Sequence, residues 1–173
     1  MAIIQNVGKS FSINKLYNDL KSQGYAIGKD ILYTYADYIE DTYVASCVPL
    51  YSTSTRKVQT ASKKVYVLDP GLVRALTLNY EEDEGHLFEN VVYVDLRRLG
   101  YMVHYFVTAQ GYEVDFLVST PRGNKTLLQV VWNMDNEETV AREKRALDAA
   151  MNELKIDGQI ITLASYLEHG LRV

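Results

Sequence analysis

Three short apolar segments, set between two helix-like ones, restrict this fold more than any other feature. They are YMVHYFVT (101–108), YEVDFLVS (112–119) and KTLLQVVW (125–132), divided by AlaGlnGly and ThrProArgGlyAsn. Brief Val/Phe/Leu-rich runs bounded by Gly and Pro read as strands, and joints this short force a meander. HLFENVVYVDLRRLG (86–100) precedes them, a helix apolar on most sides and therefore buried, with Gly100 as its stop. A second helix is expected over Glu137–Leu154, capped by Asp135 or Asn136, with Val140, Leu147, Ala150, Met151 and Leu154 inward. QIITLA (159–164) then reads as a fourth strand. The order αβββαβ places this half in the α/β class.

The middle strand carries two acids, Glu113 and Asp115. Their spacing of two puts both on one face, with Val114 and Phe116 expected on the other. An unpaired carboxylate is costly to remove from water. Such acids are therefore paired, exposed at one end, or ligands to a metal.

The first half reads differently. Ser12 is an N-cap for INKLYNDLKS, which GlnGlyTyr (23–25) ends; a second helix is expected from about Lys29 to Thr42. YVASCVPLYS and KKVYVLD read as strands around the polar run TSTRKVQTAS, a hairpin with a long basic tip. Two short helices followed by a hairpin outline a winged helix. The expected division is therefore 1–79, winged-helix-like, and 80–173, α/β.

Residues 1–79 hold nine Lys/Arg against six Asp/Glu, and residues 80–173 nine against sixteen, so the two parts carry +3 and −7. Phosphate contact therefore belongs to the first part if anywhere: Lys29 at the second helix, and Arg56, Lys57, Lys63 and Lys64 on the wing. The same helix also carries Asp30, Asp37, Glu40 and Asp41, which suit phosphates poorly and leave docking to a protein equally open. A single cysteine, Cys47, forbids an internal disulfide. The three histidines are scattered without ligand spacing. With no signal-peptide pattern and no run long enough to span a bilayer, a cytoplasmic protein away from membranes is expected.

Taken in order, NVGKSFSINKLYNDL, KKVYVLDPGL, LFENVVYVDLRRLGY, GYEVDFLV, LLQVVW, ETVAREKRAL and IITL resemble the C-terminal region of a widespread family of prokaryotic AAA-type ATP-binding proteins. Together with the αβββαβ order, the resemblance implies a restriction-endonuclease-like core of the PD-(D/E)XK superfamily. GlyLysSer at 8–10 is the end of a P-loop pattern, but Ile3 stands where its first glycine belongs, so ATP is not expected here. The chain looks like the portion after the ATPase motor, its tail stopping one strand and a short helix early. DNA, ATPase subunits or further copies of the chain are the partners implied.

In active enzymes of that superfamily, acids on the first helix and second strand meet an E-x-K on the third and hold Mg²⁺, which activates a water. By position these acids are Glu89 and Asp115, with Glu113 a third ligand. The E-x-K slot falls on Gln129-Val130-Val131, where a neutral amide replaces the acid and Val131 the lysine. Lys144 could supply the lysine from the next helix. Arg142 could instead pair with Glu89 or Asp115 and satisfy them without metal. Two readings follow. One is a non-catalytic module that binds nucleic acid or protein. The alternative is a Mg²⁺-dependent endonuclease using Glu89, Asp115, Gln129 and Lys144.

Overall fold

A computed structural model describes residues 7–76 and 84–173. It is a mixed α/β protein with two sheets. The N-terminal part runs β1 (Ser10–Phe11), α1 (Ile13–Ser22), α2 (Lys29–Asp41), β2 (Ala45–Val48), α3 (Thr55–Thr60), β3 (Lys63–Val67) and α4 (Pro70–Leu76). The second part runs α5 (Glu84–Arg98), β4 (Met102–Val107), β5 (Glu113–Ser119), β6 (Lys125–Val131), α6 (Glu137–Leu154), β7 (Gly158–Thr162) and α7 (Leu163–His169). Among the described residues no helix is long and apolar enough to cross a membrane.

The second part follows its sequence pattern closely. Strands β4, β5 and β6 form the antiparallel meander, and β7 joins β6 in parallel after the α6 crossover, giving the order β4-β5-β6-β7. Helix α5 covers one face with Phe88, Val92, Tyr93 and Leu96; α6 covers the other with Ala146, Leu147 and Ala150. Asn136 caps α6 through its side chain, which accepts from the Thr139 amide at 3.0 Å.

Two details depart from the expected pattern. The β4–β5 register slips between His104 and Phe106, where His104 faces Leu117 but Phe106 faces Val114. One extra residue on β5 is a bulge, and it breaks strict alternation. Val114 therefore packs toward α6, while Phe116 packs toward α5. The polar run between β2 and β3 also contains a helical turn, α3, whose N-cap Ser54 accepts from the Lys57 amide.

In the N-terminal part β3 is the central strand, between β1 and β2. Its alternation decides how the two parts join. Val65 and Val67 face a small core with Val7, Phe11 and Ala45. Lys64 and Tyr66 face the other way, and Tyr66 enters the main core, stacked on Tyr93 at 4.4 Å between centroids. The parts are tied by backbone as well. Asn90 on α5 accepts from the Val67 amide and donates to the Val67 carbonyl, at 2.8 and 2.9 Å. Tyr105 on β4 exchanges backbone bonds with Pro49 and Tyr51. The acidic sequence NYEEDEG at 79–85, which reads as a linker or the start of the next helix, falls mostly on residues outside the described ones; its last two residues begin α5.

Candidate functional site

The joint between the two parts holds the densest group of buried charge among the described residues. Lys64 is 3% exposed, and its ammonium has three carboxylate partners: Glu89 at 3.0 Å, Glu113 at 2.8 Å and Asp115 at 3.2 Å. Three elements supply the four groups. Strand β3 brings Lys64 inward on the face it shares with Tyr66. Helix α5 brings Glu89 on the side facing the sheet. Strand β5 brings Glu113 and Asp115 together, with Asp115 in the bulge itself.

The remaining valences of the acids are filled by other protein groups. The Tyr66 hydroxyl donates to the Glu89 oxygen that Lys64 also bonds, and the other Glu89 oxygen lies 3.4 Å from His86 Nδ1. The second Asp115 oxygen accepts from the Val130 amide at 3.0 Å and from Gln129 Nε2 at 2.9 Å. Gln129 Nε2 also donates to Glu143 at 2.7 Å, and its amide oxygen accepts from the Asp115 amide. A buried charge cluster is tolerated only when nearly every donor and acceptor is matched, which this one achieves.

The protonation states follow from that geometry. Burial alone would discharge Lys64, but Asp115, Glu89 and Glu113 outweigh it and push its pKa up. Burial would likewise raise Glu89, but Lys64, with His86 and Tyr66 as donors, holds it below the ordinary range. Asp115 moves the opposite way, up to about 7, because burial and the nearby Glu89 charge exceed the help of Lys64 and the Val130 amide. The pair shares one ammonium, and Asp115 is the member that takes a proton first. Burial and the surrounding carboxylates keep Tyr66 neutral.

A cleft of about 600 Å³ opens on this cluster. Glu89, Glu113, Asp115 and Gln129 all line it, so the structure brings these expected residues together. Arg142 also lines it, but its guanidinium bonds Glu143 at 2.6 and 3.0 Å, not Glu89 or Asp115. The neutralising cation is Lys64. It was expected on the wing facing phosphates; instead β3 is a central strand and its alternation turns Lys64 into the protein. Lys144 is exposed and does not line the cleft, because α6 buries Ala146, Leu147 and Ala150 and turns Lys144 to solvent. Lys29, Arg56, Lys57 and Lys63 are exposed on the N-terminal part, away from the cleft, with Lys29 over the Tyr17 ring at 5.5 Å.

As arranged here, with Lys64 between them, the acids do not fit Mg²⁺. The ammonium lies between the carboxylates that would ligate the ion, and Gln129 turns its donating nitrogen toward Asp115. Among the described residues no group of three or more His, Cys, Asp or Glu is arranged to hold a metal. Cys47 offers no nucleophile, since burial and then the Glu40 charge push its thiol up to about 11. Sequence reasoning missed the roles of Lys64, Tyr66, His86 and Glu143. One signal was present: Lys64 and Tyr66 stand two apart in KKVYV, as Glu113 and Asp115 do in YEVDF, so each pair shares a strand face.

Comparison with known proteins adds context without assigning an activity. The chain is 30% identical over 171 residues to the uncharacterized protein MJ1544 of Methanocaldococcus jannaschii. That match covers 97% of this chain but 37% of the longer protein. No solved structure matches. At the family level, residues 1–83 match one domain of unknown function, DUF8612, and residues 84–168 match another, DUF4143.

Proposed function

We propose that this chain is a non-catalytic, protein-binding module from the C-terminal portion of an AAA-type ATP-binding protein. The resemblance over both halves supports that setting. The observation that carries the non-catalytic reading is the Lys64 cluster. Its ammonium occupies the centre of the acids that a nuclease of this superfamily would use for metal. Protein is the better partner than DNA, because one wing lysine is buried and the candidate recognition helix α2 exposes Asp30, Asp37 and Asp41.

One observation favours the alternative, a Mg²⁺-dependent endonuclease. Glu89, Asp115 and Lys64 meet beside an open cleft, and Lys64 would then do the work expected of Lys144. A single assay separates the two readings. Supercoiled plasmid is incubated with the protein and Mg²⁺ or Mn²⁺, beside Asp115→Ala. The expected result is intact plasmid in every lane. Cutting by the wild type that the variant loses would establish the nuclease and remove the non-catalytic reading.

A further inference from the structure

We propose that the solvent face of α2 is a docking stripe for a basic, amphipathic segment of a partner protein. The proposal specifies the partner class of the protein-binding reading and rests on it. Helix α2 is anchored by Leu32, with Ala36, Ile39 and Glu40 partly covered. At 100° per residue, Ile31, Tyr35 and Tyr38 fall within about 60° of one another on the uncovered side. They are 47%, 54% and 60% exposed. Asp30, Asp37 and Asp41 form a second stripe beside them, within about 40°. All three are exposed, and none has a salt-bridge partner among the described residues.

The helix's other charges are already used. Glu40 turns inward and accepts from the Cys47 amide at 2.7 Å, while Lys29 lies over the Tyr17 ring. What remains is an apolar-aromatic ridge flanked by uncompensated acids. Its complement is a segment with aliphatic residues on one side and Lys or Arg beside them, the cations reaching both aspartate and tyrosine faces. A nucleic acid would meet three aspartates, and a second copy of α2 would bring acid against acid.

The test uses the whole chain and a fluorescein-labelled helical peptide with one leucine and one lysine face, read by anisotropy. Saturable binding is expected. Tyr35→Ala/Tyr38→Ala should weaken it at least tenfold without changing the charge of the protein, and Asp37→Lys/Asp41→Lys should weaken it as much. All four side chains are exposed, so circular dichroism should match wild type. Equal binding by wild type and both variants would overturn the proposal as diffuse attraction to an acidic chain. A dimer that the tyrosine variant dissociates, or duplex DNA bound through α2, would also overturn it. The plasmid assay is indifferent to all these outcomes, so the non-catalytic reading and the docking stripe are tested separately.

Discussion

Lys64 has more ionised neighbours than it can neutralise. One ammonium stands among three carboxylates, and Asp115 gives way by holding its proton to higher pH. Removing the cation leaves Glu89 and Asp115 facing each other out of water. Lys64→Met should therefore destabilise the fold by about 3–5 kcal/mol, measured by urea unfolding at neutral pH. The Asp115 shift has a definite sign. Its folded pKa is raised, so its contribution is fully present below 3.8 and is lost as pH rises through about 7. Glu89 is depressed, so its contribution exists above the ordinary glutamate range and is lost only in acid. Across that Asp115 window stability should fall as pH rises, and Asp115→Asn should flatten the slope; a series of unfolding midpoints against pH tests this. Glu113 and Asp115 were legible because charge inside an apolar strand stands out, and Glu89 by its place in the resemblance. Their partner was not, since Lys64 meets Glu89 and Asp115 across 25 and 51 residues, and a lysine in a basic run looks solvated.

Elements with long periodic patterns could be read almost to the residue. Helix α6 runs over Glu137–Leu154 as its apolar spacing and Asn136 cap imply, and the β4–β6 meander lies where the three apolar runs predict. The short elements escaped. Helices α3, α4 and α7 have six or seven residues each, too few for period alone to distinguish. A local signal did exist for α7: Thr162 and Ser165 make a reciprocal capping box, which ends β7 sooner than its apolar run suggests. The β5 bulge left no trace in the sequence, because it depends on pairing with β4. At the β6–β7–α6 junction Gly158 is required by space. A Cβ there would lie 2.8 Å from Leu147 Cδ1, 3.0 Å from Leu127 Cβ and 3.1 Å from the Leu127 carbonyl oxygen. Backbone and a β-carbon cannot yield as a side-chain tip can. Gly158→Ala should cost about 1–3 kcal/mol, read from the thermal midpoint, with α6 pushed off the sheet. Gly24, whose absent Cβ would meet nothing within 4 Å, makes no such steric demand.

At the scale of the whole molecule, two family matches meet between residues 83 and 84, yet the described residues pack across that boundary. Val48 and Tyr66 belong to the same buried cluster as Phe88, Tyr93, Phe116 and Leu128. Asn90 completes the hydrogen bonding of Val67, and the Lys64 charges lie at the same joint. Opening it would strand an ammonium on one side and its carboxylates on the other, while uncovering Tyr66. Those penalties fall on both parts together, which is the condition for one cooperative transition instead of two. The chain carries a reporter in each part. Trp132, the sole tryptophan, packs edge-on against Phe88 at 6.1 Å in the second part. Cys47, the sole cysteine, is partly buried in the first. Urea unfolding followed by Trp132 fluorescence and by Cys47 labelling should give coincident midpoints. Lys64→Met should move both midpoints equally. If Cys47 became reactive at lower urea while Trp132 stayed native, the joint would be a contact between independent domains, and the buried charge would not couple them.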